Sequence, residues 1–198
     1  MRGNLMIPAA AALLLAGCNQ SAGNDELRAE LTALQDRIAI EDMLYEYYSH
    51  LGSGAHTGFD KFFTDDALLD INGWKATGHD DIQKLYDGAG SSEGGEGFKK
   101  EEAVPVEKEH MDYMHLTNPL IRVNGDTATA QMFWTGIISD DLNAPPKFEE
   151  MGREYDLLVK VDGQWKIKKR IVVADAGMPK SMNETYRRLH NYDVTKDD

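Results

Sequence analysis

One cysteine in the whole chain, Cys18, excludes any disulfide within it. Basic residues are scarce too: 21 Lys and Arg face 34 Asp and Glu, for a formal net charge of -13. Nucleic-acid binding needs a basic surface to neutralise phosphates, so this balance argues against it, and solubility is the plain use of such acidity. No Gly-rich phosphate loop follows a strand pattern, no Gly-x-Ser-x-Gly elbow is present, and no segment repeats. His79 beside Asp80 and Asp81, and His110 near Asp112, are ligand types for a metal, but helix capping and surface charge account for them. Neither metal nor cofactor is therefore expected. What remains is a 198-residue chain, two-fifths apolar, long enough for one domain with a proper core.

The N-terminus reads as a targeting segment. Arg2 supplies a positive start, and Leu5 to Gly17 is an apolar run too short to span a bilayer. It ends in Leu15-Ala16-Gly17-Cys18, which resembles the lipobox of bacterial lipoproteins. That resemblance implies a signal peptide over residues 1–17, a lipidated Cys18, and membrane attachment through the lipid. Asn19 after the cysteine implies the cell envelope, at the periplasmic face of the outer membrane where the source has one. Residues 18–24 read as a tether, 25–190 as the domain with a helical extension, and 191–198 as a disordered tail.

A first helix is expected over residues 25–51, with two apolar stripes. Leu27, Leu31, Leu34 and Ile38 follow heptad-like 4, 3, 4 spacing, whereas Ile40, Met43, Leu44, Tyr47, Tyr48 and Leu51 form a core-type stripe. Ile38 and Ile40 are about 200° apart on a helical wheel, so the stripes face different ways. The second is expected to face the core. The first has three readings: another surface, a partner chain in a homodimer, or a spacer from the membrane. Phe59, Phe62 and Phe63 fit a short amphipathic helix, and residues 67–71 a strand. Asn72-Gly73 is a turn into a short strand around Trp74, and a helix follows over residues 78–86. Residues 87–108 read as a Gly-rich loop, and Ser181-Met182-Asn183-Glu184 as a capping box that starts a terminal helix. Long strands run from His110 to Val173, with turns at Asn124-Gly125-Asp126 and Asp162-Gly163 and a connection over residues 140–150. Helices first and strands after imply an α+β domain with helices on one face of a curved, mainly antiparallel sheet.

Several motifs taken in order carry a family resemblance. They are Ile40-Glu41-Asp42-Met43, Phe63-Thr64-Asp65-Asp66-Ala67, Gly78 with Ile82, His115 with Asn118, Asn124-Gly125-Asp126-Thr127-Ala128, and Asp162-Gly163-Gln164-Trp165-Lys166-Ile167 with Arg170. Over residues 34–174 the chain resembles SnoaL-like domains of the nuclear transport factor 2-like superfamily, in the scytalone dehydratase-like and dehydrochlorinase-like branch. The resemblance implies a cone-shaped fold and an enclosed ligand cavity. It also implies a catalytic pair: His115 as general base on the first long strand, and Arg170 stabilising a developing anion. In those relatives an Asp near the end of the first helix orients the histidine; here that position is Gly52. His50, Asp70, Asp112 and Asp156 are the groups left to replace it. A satisfied or ligand-contacting histidine is the other reading of His115. Strict alternation sets Arg170 opposite Trp165 and Ile167, so it either lies on the surface or turns inward through a β-bulge.

Tyr47 and Tyr48 on the core stripe, Tyr113 on the face of His115, Trp134 and Tyr155 are the candidate ligand contacts. Two functions follow. One is a lipid-anchored, cofactor-free lyase or isomerase acting on a small, mostly apolar hydroxy or carbonyl compound. The other is a non-catalytic binding or assembly module of the envelope.

Overall fold

The computed structural model describes residues 11–52, 58–90, 111–139, 143–178, 180, 185–186 and 192–196. In chain order these form α1 (Ala11–Gly52), a 3-10 turn (Asp60–Phe62), β1 (Phe63–Ile71), β2 (Trp74–Thr77), α2 (Gly78–Gly90), β3 (Met111–Asn124), β4 (Thr127–Ser139), β5 (Lys147–Val161) and β6 (Gln164–Ala176). The six strands make one sheet in the order β2-β1-β6-β5-β4-β3. Every pairing is antiparallel except β1 with β6. Both helices pack on one face of it, called inner here, so the domain is α+β as expected.

Turn chemistry sets the register. Asn72-Gly73 and Asp162-Gly163 have positive φ at both central residues, the requirement of a type I′ hairpin turn. In the turn between β3 and β4 only Gly125 has positive φ, at the first central position, because Asn124 and Thr127 pair across it. The two-residue loop there is Gly125-Asp126, one residue later than an Asn-Gly reading.

Two bulges then decide which side chains face inward. In β6, Ile167 pairs with Leu158 and Lys169 with Leu157, so Lys168 is an extra residue. Trp165 and Ile167 face the core before it, and Arg170 and Ala174 after it. In β3, Thr117 pairs with Phe133 and Leu120 with Gln131, leaving one residue too many at Asn118-Pro119. Asn118 has φ 53°, and Pro119 has no N–H to give the ladder, both suited to a bulge on an edge strand.

The core stripe of α1 is as read: Ile40, Leu44, Tyr47 and Tyr48 are buried. Asp36 ties the helix to the sheet, accepting from Lys160 Nζ at 2.6 Å and Trp165 Nε1 at 3.1 Å. Leu27, Leu31, Leu34 and Ile38 stay exposed. Several expectations are corrected. Phe59, Phe62 and Phe63 do not share a helix; Phe63 opens β1 because it pairs with Ile167 of β6. The helix α2 runs on to Gly90. The connection before β5 is shorter than read, since the strand begins at Lys147. Residues read as a tether are helical, as α1 starts at Ala11. Within the segment read as a loose tail, Val194 packs on the outer face, buried with Tyr155, Ile171 and Val173. Residues 91–108, read as loop, and the capping box at Ser181 lie outside the described residues. Among the described residues, no helix is long and apolar enough to cross a membrane.

Candidate active site

The inner face holds a charged cluster inside an aromatic shell. On β5 the inward residues are Gly152, Glu154, Asp156 and Leu158; Glu154 and Asp156 are both 0% exposed. Arg170 lies directly across from Asp156 and is also 0% exposed. Its Nε and Nη2 each donate to Asp156 at 2.8 Å, the bidentate geometry that an Arg fork makes best with a carboxylate. Nη2 is also 3.0 Å from Glu154 Oε1, within ion-pair reach but without hydrogen-bond alignment.

Helix α1 covers this cluster. The Tyr48 hydroxyl donates to Glu154 Oε2, and Tyr47 shares a hydrogen bond with Tyr86 of α2. The guanidinium carbon of Arg170 is 4.1 Å from the centre of the Tyr47 ring, a cation–π contact between two buried side chains. Phe59 stacks on Tyr86 at 4.0 Å and closes the layer.

Among the described residues, three buried side-chain atoms have no hydrogen-bond partner: Arg170 Nη1, Glu154 Oε1 and Trp134 Nε1. Leaving such atoms unpaired costs on the order of 1–3 kcal/mol each. The Trp134 indole sits over Gly152, where any side chain would begin 2.7 Å from its ring and 2.3 Å from the Val173 carbonyl oxygen.

Electrostatics distinguish the two carboxylates. Burial pushes the Glu154 carboxyl up to about 8, and the charge of Asp156 adds to this, against the pull of Arg170 and the Tyr48 hydroxyl. Burial also works against the Arg170 charge, but the pull of its acidic neighbours, Asp156 first, more than offsets it, so the guanidinium stays protonated. Burial raises Tyr47, and Tyr48 and Tyr86 still more, so all three remain neutral phenols at physiological pH. At neutral pH the cluster is therefore an Arg–Asp pair beside a carboxyl that holds its proton.

The sequence candidates divide between the two faces. Arg170, Tyr47, Tyr48 and Trp134 come together on the inner face. His115 and Tyr113 share a face, but it is the outer one: both are exposed, while Met114 and Leu116 turn toward the core between and beside them. Tyr155 is buried on the outer face, packed with Ile171 and near Tyr192. Gly52 is the last residue of α1. Of the groups left to replace the missing helix Asp, Asp156 is held by Arg170, Asp70 accepts from the Gly73 N–H at 2.7 Å, and His50 packs edge-on against Phe59. Glu154 and Tyr86 were not singled out by sequence. The signal for Glu154 was its place two residues from Asp156 on a strand whose hairpin partner carries Arg170. Two described clefts, one of about 420 Å³ beside Asn72 and Tyr186 and one of about 220 Å³ on the outer face beside Arg122 and Tyr192, are not lined by the cluster.

Solved structures share this architecture. A putative scytalone dehydratase from Novosphingobium aromaticivorans is 26% identical, with TM-score 0.53 over 71% of this chain and 85% of that one. A nuclear transport factor 2-like protein with a cystatin-like fold from the same organism is 18% identical, with TM-score 0.58 over 81% and 95%. A putative aromatic ring hydroxylase, again from Novosphingobium aromaticivorans, is 21% identical, with TM-score 0.51 over 74% and 92%. The last two likenesses speak for the fold alone. No curated protein sequence matches the chain. Residues 32–171, well over half of the 198, match the SnoaL-like domain. With the helix-covered sheet and its neighbours in shape, that match makes the chain a member of the SnoaL-like domain family, of the nuclear transport factor 2-like fold.

Proposed function

We propose that this domain binds a small, mostly apolar hydroxy or carbonyl compound against its inner face and acts on it as a cofactor-independent lyase or isomerase. One observation carries the reading: a fully buried carboxyl, Glu154, whose proton affinity is pushed up to about 8, stands beside a guanidinium with an unpartnered N–H. Groups with perturbed proton affinity in low dielectric cluster at sites of acid–base chemistry. In its ionised form Glu154 takes a proton from the carbon next to a carbonyl. The carbonyl oxygen gains negative charge, and Arg170 Nη1 is the donor that stabilises it. Glu154 then returns the proton, to a neighbouring carbon in an isomerisation or to a departing hydroxyl in a dehydration. Entry of a ligand displaces the layer formed by Tyr47, Phe59 and Tyr86. Likeness to a putative scytalone dehydratase supports the dehydration branch.

The lipobox-like Leu15-Ala16-Gly17-Cys18 supports placing the domain at the cell envelope, held by lipid on Cys18. The complete burial of Arg170, Asp156 and Glu154 favours a second reading, a binding module in which the cluster only shapes the core. Turnover separates the two. Assayed on a panel of hydroxy-carbonyl and halogenated compounds, Glu154→Gln should lose roughly 10²- to 10⁴-fold in rate while keeping its fold. Binding without turnover by both wild type and variant would establish the second reading.

A further inference from the structure

The exposed stripe of α1 has an order that a solvated helix does not need. Leu27, Leu31, Leu34 and Ile38 are 63, 53, 53 and 49% exposed, far above the core side chains of the same helix. At 100° per residue they fall within one narrow sector, about 120° from the sector of Ile40, Leu44, Tyr47 and Tyr48. The helix thus presents one apolar face to its own sheet and a second, separate one outward.

We propose that this second face is the seam of a parallel, two-stranded coiled coil with another copy of the chain. The 4, 3, 4 spacing assigns Leu27 and Leu34 to d positions and Leu31 and Ile38 to a positions. Asn24 then falls at the preceding a position, where a single Asn fixes register and favours two strands. Leu at d with a β-branched residue at a, as Ile38 is, favours a parallel dimer as well. The flanking positions agree. Arg37 falls at g and Asp42 at the following e, so each Arg37 meets the partner's Asp42, and symmetry makes that contact twice. Glu30 at g faces a neutral Gln35 at e, so no g–e pair repels. Glu41 at the next d position ends the apolar run, and its carboxylate is held by Arg37 at 3.0 Å.

Two heptads are short for a free coiled coil, chiefly because a short helix is costly to nucleate. Here that cost is already met within the domain. The C-terminal part of α1 is docked on the sheet, and Asp36 is fastened by Lys160 and Trp165. The exposed turns propagate from a formed helix, so association orders little new backbone. An anionic membrane surface is a poorer occupant: residues 24–46 carry seven acidic side chains against two basic ones.

Sedimentation velocity on the full chain should show a concentration-dependent dimer. Leu31→Glu with Leu34→Glu should leave only monomer over the same range, with the melting temperature of wild type diluted to monomer, since both side chains are exposed on their own chain. In a Cys18→Ser background, where the introduced thiol is the only one, Leu27→Cys should oxidise to a disulfide dimer. Ala29→Cys, on the far side of the helix, should not. A monomer at every concentration overturns the proposal, whether or not it binds anionic vesicles. So does a dimer indifferent to the double substitution. Dissociation by the double substitution without a Leu27→Cys crosslink overturns the parallel arrangement.

Discussion

His115 and Arg170 lie on opposite faces of one sheet, each sent there by a single extra residue. The bulge at Lys168 turns Arg170 into the core, and the bulge at Asn118-Pro119 turns His115 out of it. Without the first, hairpin register would set Lys169 across from Asp156. Without the second, His115 would share the inward parity of Ile121 and Val123. Two small backbone irregularities thus exchange the side chains available for chemistry, and the inner face offers Glu154 where an imidazole was expected.

That placement makes a direct prediction for His115. An exposed side chain on the outer face contributes little to folding, so His115→Ala should change stability by no more than about 0.5 kcal/mol. It should also leave ligand binding and any turnover at wild-type levels. Chemical denaturation and the substrate panel together check this; a large fall in turnover would restore His115 as the base.

Arg170 has the opposite standing. Removing it leaves the fully buried Asp156 without its partner beside Glu154, so Arg170→Met should cost about 3–5 kcal/mol. Replacing the paired charge as well, in Arg170→Met with Asp156→Leu, should recover much of that loss, because apolar substitutes of similar size need no desolvation. Urea midpoints of the three proteins give the comparison. A double variant as unstable as the single would mean that the pair contributes more than its desolvation penalty.

How far the sequence could be read follows from what each signal encodes. Hairpin turns are local: Asn72-Gly73 and Asp162-Gly163 need positive φ at adjacent residues, and the dipeptides say so. The core stripe of α1 is legible for the same reason, since the 3.6-residue period is a property of the helix alone. Bulges are not local. Lys168 has no composition that marks it, and its register shift arises from pairing with β5 and β1 at once. Asn118-Pro119 did carry a cue, because proline cannot complete a ladder. Tyr155, expected as a ligand contact, lies on the outer face for another reason. Tyr155, Leu157, Val159 and Val161 are the more apolar set, yet Glu154 and Asp156 face inward, where Arg170 pairs with Asp156 and the Tyr48 hydroxyl donates to one oxygen of Glu154.

Lipid attachment is tested at Cys18. With the lipobox-like Leu15-Ala16-Gly17 before it, mature protein should begin at Cys18, take up labelled fatty acid and partition into detergent. Cys18→Ser should abolish the label. Recovery of unmodified mature protein starting elsewhere would remove the anchor from the account.

Glu154 should give the protein a pH-dependent stability of definite sign. Unfolded, a Glu side chain titrates near about 4.3. Folded, burial pushes Glu154 up to about 8. Between those values the native state holds a proton that the unfolded chain has released, so stability falls as pH rises. The contribution is complete below the unfolded value and is lost as pH climbs through the folded one. At most it changes by roughly 1.4 kcal/mol per pH unit, or a few degrees in Tm for a chain of this size. Gln copies the protonated carboxyl in shape and cannot titrate. The Tm difference between wild type and Glu154→Gln should therefore shift against the wild type from about pH 5 to about pH 9, while the other titrating groups cancel. The same carboxyl, if it is the base, makes kcat/KM rise with pH to an inflection near 8. Parallel Tm curves for the two proteins across that range would mean that Glu154 is ionised in the folded state, and the proton store at the centre of the inner face would be lost with it.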